Sequence, residues 1–324
     1  MTKNTLYFSL LSFMLSVNTA FADTKKITLA GPVAVVSYPL MVMAEQQMLS
    51  SSSIVFSFVR WKNPDQLRAM VIGNQVDFSA MPSNLAAIFY NKGHQLTLLN
   101  ISVWNIMDII SRDKKVVSLV DLIGKEIVIP FKNDMPSIIF EHLLNAQLTT
   151  KASQVKIRYS HNLADAAQLL LSGQVEHALL VEPLSSVALY QNSKKGDFEL
   201  TRTINISQQW QQTFPNTPKL PQAGIIANTS VNTDKVFMSK VNSAYKKAAL
   251  WCNTNVTLCA DIVKKYLPKM PKSALITAIR KTKLEPIDSN IAKTDLQNFY
   301  QLLAEGDAKR IGGKQPDDNF YFSL

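Results

Sequence analysis

Residues 64–93, PDQLRAMVIGNQVDFSAMPSNLAAIFYNKG, hold a complete helix–strand–helix passage, and much of the remaining chain reads as variations on it. Pro64 in a first turn and Gly73 just past Ile72 bracket one helix. Val76 to Met81 is a short apolar run of strand length, and Pro82-Ser83-Asn84 opens a second helix that stops at Gly93. Upstream, Ile27 to Ala30 and Ile54 to Arg60 are strand-like, and between them Ser37-Tyr38-Pro39 starts a helix with Ser37 as its N-cap. Strands that alternate with helices form parallel sheets, because parallel neighbours need a crossover long enough to be a helix.

The alternation then repeats. Lys125 to Pro130, Val155 to Tyr159 and His177 to Val181 read as strands, with helices at Pro136 to Ala146, Leu163 to Leu171 and from Pro183 onward. Two successive modules predict two lobes, an α/β architecture in which each lobe is a mostly parallel sheet flanked by helices. Leu96 to Arg112 is the first crossing between them, and Gln222 to Asn228, after the proline-rich Pro215 to Pro221, is the return strand. Helices at Thr233–Asn253, Thr257–Tyr266, Lys272–Arg280 and Ile291–Ala304 are expected to pack back on the first lobe. The expected division is 23–111 with 222–324 for one lobe and 112–221 for the other.

The first 22 residues, MTKNTLYFSLLSFMLSVNTAFA, carry one lysine, an apolar run from Leu6 to Val17 and an A-x-A site ending at Ala22. That is the pattern of a secretory signal peptide cleaved after Ala22, and Ser9, Ser12, Ser16 and Asn18 make it a poor bilayer span. The mature chain is expected to be exported and soluble. Over all 324 residues, 34 Lys and Arg against 24 Asp and Glu give a formal charge of +10. The basic residues are scattered in pairs such as Lys114-Lys115 and Lys246-Lys247, which argues for a solvated surface and against a nucleic-acid partner.

Cys252 and Cys259 are the only cysteines. On an unbroken helix their α-carbons would lie about 10 Å apart, too far for a disulfide. A break at Asn253-Thr254-Asn255 would let them meet, and an oxidising compartment favours the bond; the alternative is two independent thiols. His94, His142, His161 and His177 follow no metal-ligand spacing, and no nucleophile elbow, P-loop or Cys-x-x-Cys is present. No metal, cofactor or catalytic residue is expected.

Several blocks together resemble the periplasmic substrate-binding proteins of ABC importers of the nitrate, sulfonate, taurine and thiamine-pyrimidine-precursor type. They are Asp65-Gln66-Leu67-Arg68-Ala69 with Gly73-Asn74-Gln75-Val76-Asp77, Met81 to Ala87, Asp121 to Ile127, Ala166 to Gly173, Leu180-Val181-Glu182-Pro183, and Ile311 to Asp318. Their order and spacing span nearly the whole mature chain; Glu176-His177 departs from the pattern, where a small residue is expected after the acid. The resemblance implies the two-lobed type II periplasmic-binding-protein fold and a monomer that closes around a small solute and delivers it to an ABC permease in the inner membrane. A sensory ligand-binding subunit and a pyrimidine-precursor synthase-like enzyme share the resemblance; the signal peptide and the lack of a cleft cysteine argue against the enzyme.

Candidate ligand contacts follow from the rule that solutes in such sheets sit beyond the carboxyl ends of strands, where helix starts offer free backbone donors. Ser37 and Tyr38 occupy one such junction, Ser83 and Asn84 a second, and Phe131, Asn133 and Asp134 a third in the other lobe. The serines, Asn84 and Asp134 serve a ligand or only cap their helices, and Tyr38 either donates to the solute or is a core aromatic. Trp61 at a strand end either packs under its loop or offers a flat ring for stacking, and Gln222 sits at the start of the return strand. Glu182 before Pro183 either serves as a structural cap or faces the cleft, where it would prefer N–H donors to a bare anion. Trp61 with Glu182 or Asp134 suits a planar N–H heterocycle; Ser83 with three helix starts suits a sulfonate-like anion.

Overall fold

The structure, a computed structural model, describes residues 25–49, 54–195, 198–231 and 233–324, so the expected signal peptide lies outside the described residues. In chain order, the first module comprises β1 (Lys25–Gly31), α1 (Tyr38–Gln46), β2 (Ile54–Arg60), α2 (Pro64–Ile72), β3 (Phe78–Pro82), α3 (Ser83–Asn91) and β4 (Thr97–Val103). The second comprises β5 (Met107–Ser111), β6 (Glu126–Pro130), α4 (Met135–Leu148), β7 (Lys156–Ser160), α5 (Leu163–Leu171), β8 (His177–Val181), α6 (Leu184–Lys195), β9 (Thr201–Asn205) and α7 (Ile206–Thr213). The chain closes with β10 (Ala223–Ala227), α8 (Lys235–Thr254), α9 (Val256–Tyr266), α10 (Lys272–Thr282), β11 (Ile287–Asp288) and α11 (Lys293–Gly306).

These strands form two sheets, β11-β4-β10-β3-β1-β2 and β7-β6-β8-β5-β9, in a two-lobed α/β fold. β1 pairs parallel with β2 and β3, while β10 runs antiparallel between β3 and β4. In the second sheet β6 pairs parallel with β7 and β8, and β5 runs antiparallel between β8 and β9. Each sheet therefore has four strands pointing one way and one reversed strand in its interior, with the two-residue β11 added at an edge of the first. The reversed strand is in each case the one that enters after a crossing.

The segment expected as a single crossing is two strands. Thr97–Val103 belongs to the first sheet, Met107–Ser111 to the second, and the chain changes sheet at Trp104-Asn105-Ile106. The expected boundary after residue 111 would leave β5 with the first lobe, whereas every residue of β5 pairs with β8. β9 and α7 were not anticipated at all. The terminal helices also differ from expectation: α8 and α9 pack on α1, but α10 packs on α6 and α11 touches α4, so they bridge both halves.

Alternation along the second sheet explains its unbroken apolar strands. Ile109, Ile127, Ile129 and Leu179 face the core shared with the first sheet, while Ile110, Val128, Ala178 and Leu180 face a separate core under α5 and α6. His177, the departure from the family pattern, begins β8; its ring is buried, shares a hydrogen bond with the Ser111 hydroxyl at 2.9 Å, and burial holds its pKa below the usual value. In the first sheet, a β-carbon at Gly224 would lie 1.7 Å from the Asn100 carbonyl oxygen, so only glycine lets β10 sit this close to β4.

Cys252 and Cys259 are joined, with S–S 2.05 Å and Cα–Cα 5.1 Å. The break that permits this is at Asn255, which ends α8 and precedes α9. Among the described residues no helix is long and apolar enough to cross a membrane.

Candidate functional site

A cavity of about 560 Å³ opens between the two sheets. Its wall is assembled from the carboxyl ends of parallel strands of both: Pro32 and Val33 after β1, Arg60 and Trp61 at the end of β2, Met81 and Pro82 in β3, Phe131 after β6, His161 after β7, and Val181 in β8. Ile106 and Met107 at the outward crossing and Gln222 and Ala223 at the return complete it, with Met270 from the loop after α9. This is where an open α/β sheet leaves space for a ligand, because the crossover helices diverge from the strands there.

Most of the wall is apolar. Four methionines, Met81, Met107, Met135 and Met270, stand among Val33, Val36, Leu163 and Leu184. Thioethers conform to an irregular guest and favour contact with aromatic rings. None of the four was anticipated; Met81 and Met107 have a sequence signal in their place at strand ends, whereas Met135 opens α4 and Met270 comes from the loop after α9.

Of the anticipated contacts, Trp61, Phe131, Asp134 and Gln222 line the cavity together. Trp61 is 4% exposed, and its indole N–H has no partner. Phe131 has φ of +60° and Asn133 has φ of +63°, left-handed values that cost a non-glycine residue about 1 kcal/mol each or more. They turn the chain sharply from β6 into α4 and leave the phenyl ring at the wall, whereas Asn133 is outside it.

Asp134 holds the N-cap position of α4, yet its carboxylate caps nothing. It lies 3.7 Å from Arg68 of α2, an ion pair between the two lobes. Burial pushes its pKa up to about 6, against the pull of Arg68 and with a further push from Asp65. The helix start beside it carries Pro136, which removes one backbone donor and adds an apolar ring to the wall.

The other anticipated contacts stand outside the cavity wall. The Ser37 hydroxyl donates to the Pro32 carbonyl at 2.8 Å and makes no cap. The Ser83 hydroxyl donates to the Pro221 carbonyl at 2.5 Å, and Asn84 Nδ2 donates to the Arg310 carbonyl at 3.3 Å. Tyr38 is wholly buried with its hydroxyl unpartnered, and burial together with the nearby charge of Glu182 suppresses its ionisation. None of these residues is part of the cavity wall.

Glu182 is the largest departure. It is buried and bound by Arg202 and by the Ser186 hydroxyl at 3.0 Å and backbone N–H at 3.2 Å, while Arg202 also binds Asp108. Burial still pushes its pKa up, opposed by Arg202 and Ser186. Arg202 comes from the unanticipated β9, so the neutralising partner could not be seen in the sequence.

A second tie between the halves lies away from the cavity. The stretch after α11 is fastened to α3 by Asn91 Nδ2, which donates to the carbonyls of Ile311 and Lys314, each at 2.6 Å. From it Arg310 reaches α4 of the other lobe, donating to His142 Nε2 at 2.7 Å and to Glu141 at 3.1 Å. His142 accepts that bond as the neutral imidazole; burial and the adjacent guanidinium bring its pKa down to about 4.

No family model matches the chain, and no curated protein matches it in sequence. Solved structures do match in fold, and several of them are binding proteins of ABC-type transport systems, the class the sequence resembles. An ABC transporter structure from Parabacteroides distasonis superposes with a TM-score of 0.74 at 19% identity, over 91% of this chain and 98% of that one. The ligand-binding component of an ABC-type import system from Staphylococcus aureus, with zinc bound, gives 0.70 at 14% identity over 92% and 96%. The periplasmic aliphatic sulphonate binding protein of Escherichia coli gives 0.68 at 14% identity over 93% and 98%.

Proposed function

We propose that this chain is an exported solute-binding protein of an ABC importer. It captures a small molecule in the cavity between its lobes by hinge closure and hands it, as a monomer without catalysis, to a permease in the inner membrane. The observation that carries the reading is the cavity itself, walled by strand ends of both sheets and reached by crossings at 104–106 and 214–222. Those crossings divide the proposed lobes into 25–103 with 223–324, and 107–213. A guest that touches both walls binds the closed arrangement better than the open one, and that difference in affinity is what shifts the population. The signal-peptide pattern and the joined cysteines favour an oxidising compartment outside the cytoplasm.

The test is native mass spectrometry of the protein purified undenatured from the periplasm, followed by small-angle scattering with and without the recovered guest. A bound small molecule and a decrease in radius of gyration on its return are expected. Scattering that stays the same with a bound guest, or chemical turnover of that guest, would overturn the reading.

A further inference from the structure

Gln222 is 2% exposed and lines the cavity, yet among the described residues both Oε1 and Nε2 lack partners. Its backbone is fully engaged: its N–H donates to the Val103 carbonyl at 3.0 Å, and its carbonyl accepts from the Ser83 N–H at 3.0 Å. The side chain is thus anchored at its root and unsatisfied at its tip. A buried amide in that condition carries a desolvation cost that only a partner of complementary polarity removes. Because both atoms are unpartnered, exchanging them by an amide flip leaves the requirement unchanged: one acceptor and one donor, side by side.

The surroundings narrow the partner. The four methionines, Phe131 and the Trp61 ring call for a flat apolar body, and Trp61 Nε1 calls for one further acceptor. Arg60, Lys62 and Lys269 are exposed at the mouth, whereas the charged group set deeper in the wall is the carboxylate of Asp134. A buried anion would face that carboxylate with, among the described residues, no buried cation lining the cavity to offset it.

Resting on the reading that this cavity holds a solute, we propose that the solute is an uncharged, flat, largely apolar molecule with a primary-carboxamide or lactam edge. Its carbonyl accepts from Gln222 Nε2 while its N–H donates to Gln222 Oε1, closing a paired-amide ring. A matched carboxylate or sulfonate lacks the donor and brings a charge, so it leaves Oε1 unpaired and is rejected. Discrimination of this kind is large, because the site's own buried group is stranded by the wrong guest.

Calorimetric titration of the exhaustively dialysed protein at neutral pH with benzamide and carbostyril, against benzoate and benzenesulfonate, tests this. The amides are expected to bind roughly a hundredfold tighter than the anions. Gln222→Leu should weaken the amides roughly tenfold or more, and should raise the melting temperature of the empty protein, because it removes an unsatisfied buried amide while keeping both backbone bonds. Gln222→Glu keeps the shape, loses the donor, and should move preference from benzamide to benzamidine. Anions that bind as tightly as amides, or amide binding indifferent to Gln222→Leu, would overturn the amide assignment while leaving solute capture standing. Silence of both amides and anions in a protein that carries a co-purified guest would do the same; silence with no guest would remove the capture reading as well.

Discussion

The ends of β6 and β8 lie in one sheet, both precede a helix, and both carry a carboxylate, yet the two acids have opposite surroundings. At the β8 end Glu182 has a guanidinium and two donors from Ser186, and it is sealed from the cavity. At the β6 end Asp134 has one cation at 3.7 Å, no cap bond, and a place in the cavity wall. A fully matched carboxylate is scaffolding; a half-matched one remains available to a ligand or to a change of pH. Motif position alone does not separate the two cases, because the difference comes from what the rest of the fold brings alongside.

Removing the match at the β8 end should have the largest effect. Arg202→Ala leaves Glu182 and Asp108 buried without their cation and should lower unfolding stability by about 3–5 kcal/mol in denaturant titrations. A loss below ~1 kcal/mol would mean that the network is solvated and the contrast with Asp134 is false.

The reverse experiment relieves the β6 end. Because the Asp134 carboxyl is pushed up to about 6 from 3.8, the folded chain holds its proton more tightly than the unfolded chain does. The stability this group supplies is full below the unfolded value and is lost as pH rises through 6. Asp134→Asn should therefore stabilise the empty protein by on the order of 1–2 kcal/mol above neutral pH, discounted for partial exposure, with the gain fading towards pH ~4. Thermal melts across that range would show it, and a variant less stable at every pH would mean that the Arg68 contact outweighs burial.

Two finer changes sharpen the contrast. Ser186→Ala removes the hydroxyl that bridges Arg202 and Glu182, and should cost about 1 kcal/mol while leaving ligand affinity unchanged. Arg68→Met takes away the one cation beside Asp134; the carboxyl pKa, followed by NMR, should rise above its present value of about 6, whereas a fall would show that Arg68 does not act on it.

The alternation of strand and helix was legible because it rests on local signals: Gly73 and Gly93 end helices, and the apolar runs of β3, β6 and β8 need no distant partner to be recognised. Trp61, Phe131, Asp134 and Gln222 were legible as cavity residues because strand ends define their positions. Ser37 is engaged locally by the Pro32 carbonyl, but other groups have partners that the sequence does not bring alongside. Ser83 is matched by a carbonyl 138 residues away, and Glu182 by a guanidinium in an edge strand, Thr201-Arg202-Thr203-Ile204-Asn205, whose polar residues hide its strand character. The same limit explains β5: nothing local tells Met107–Ser111 which sheet it will join.

The contact made by Arg310 gives the molecule a connection that its covalent crossings do not supply. The C-terminal stretch grips α3 and extends one cation to α4, so the final fifteen or so residues act as a strap buckled across the outside of the jaws. A peptide cut or a fused tag at that stretch would loosen the join between the two sheets while every residue of the cavity wall stays as it was.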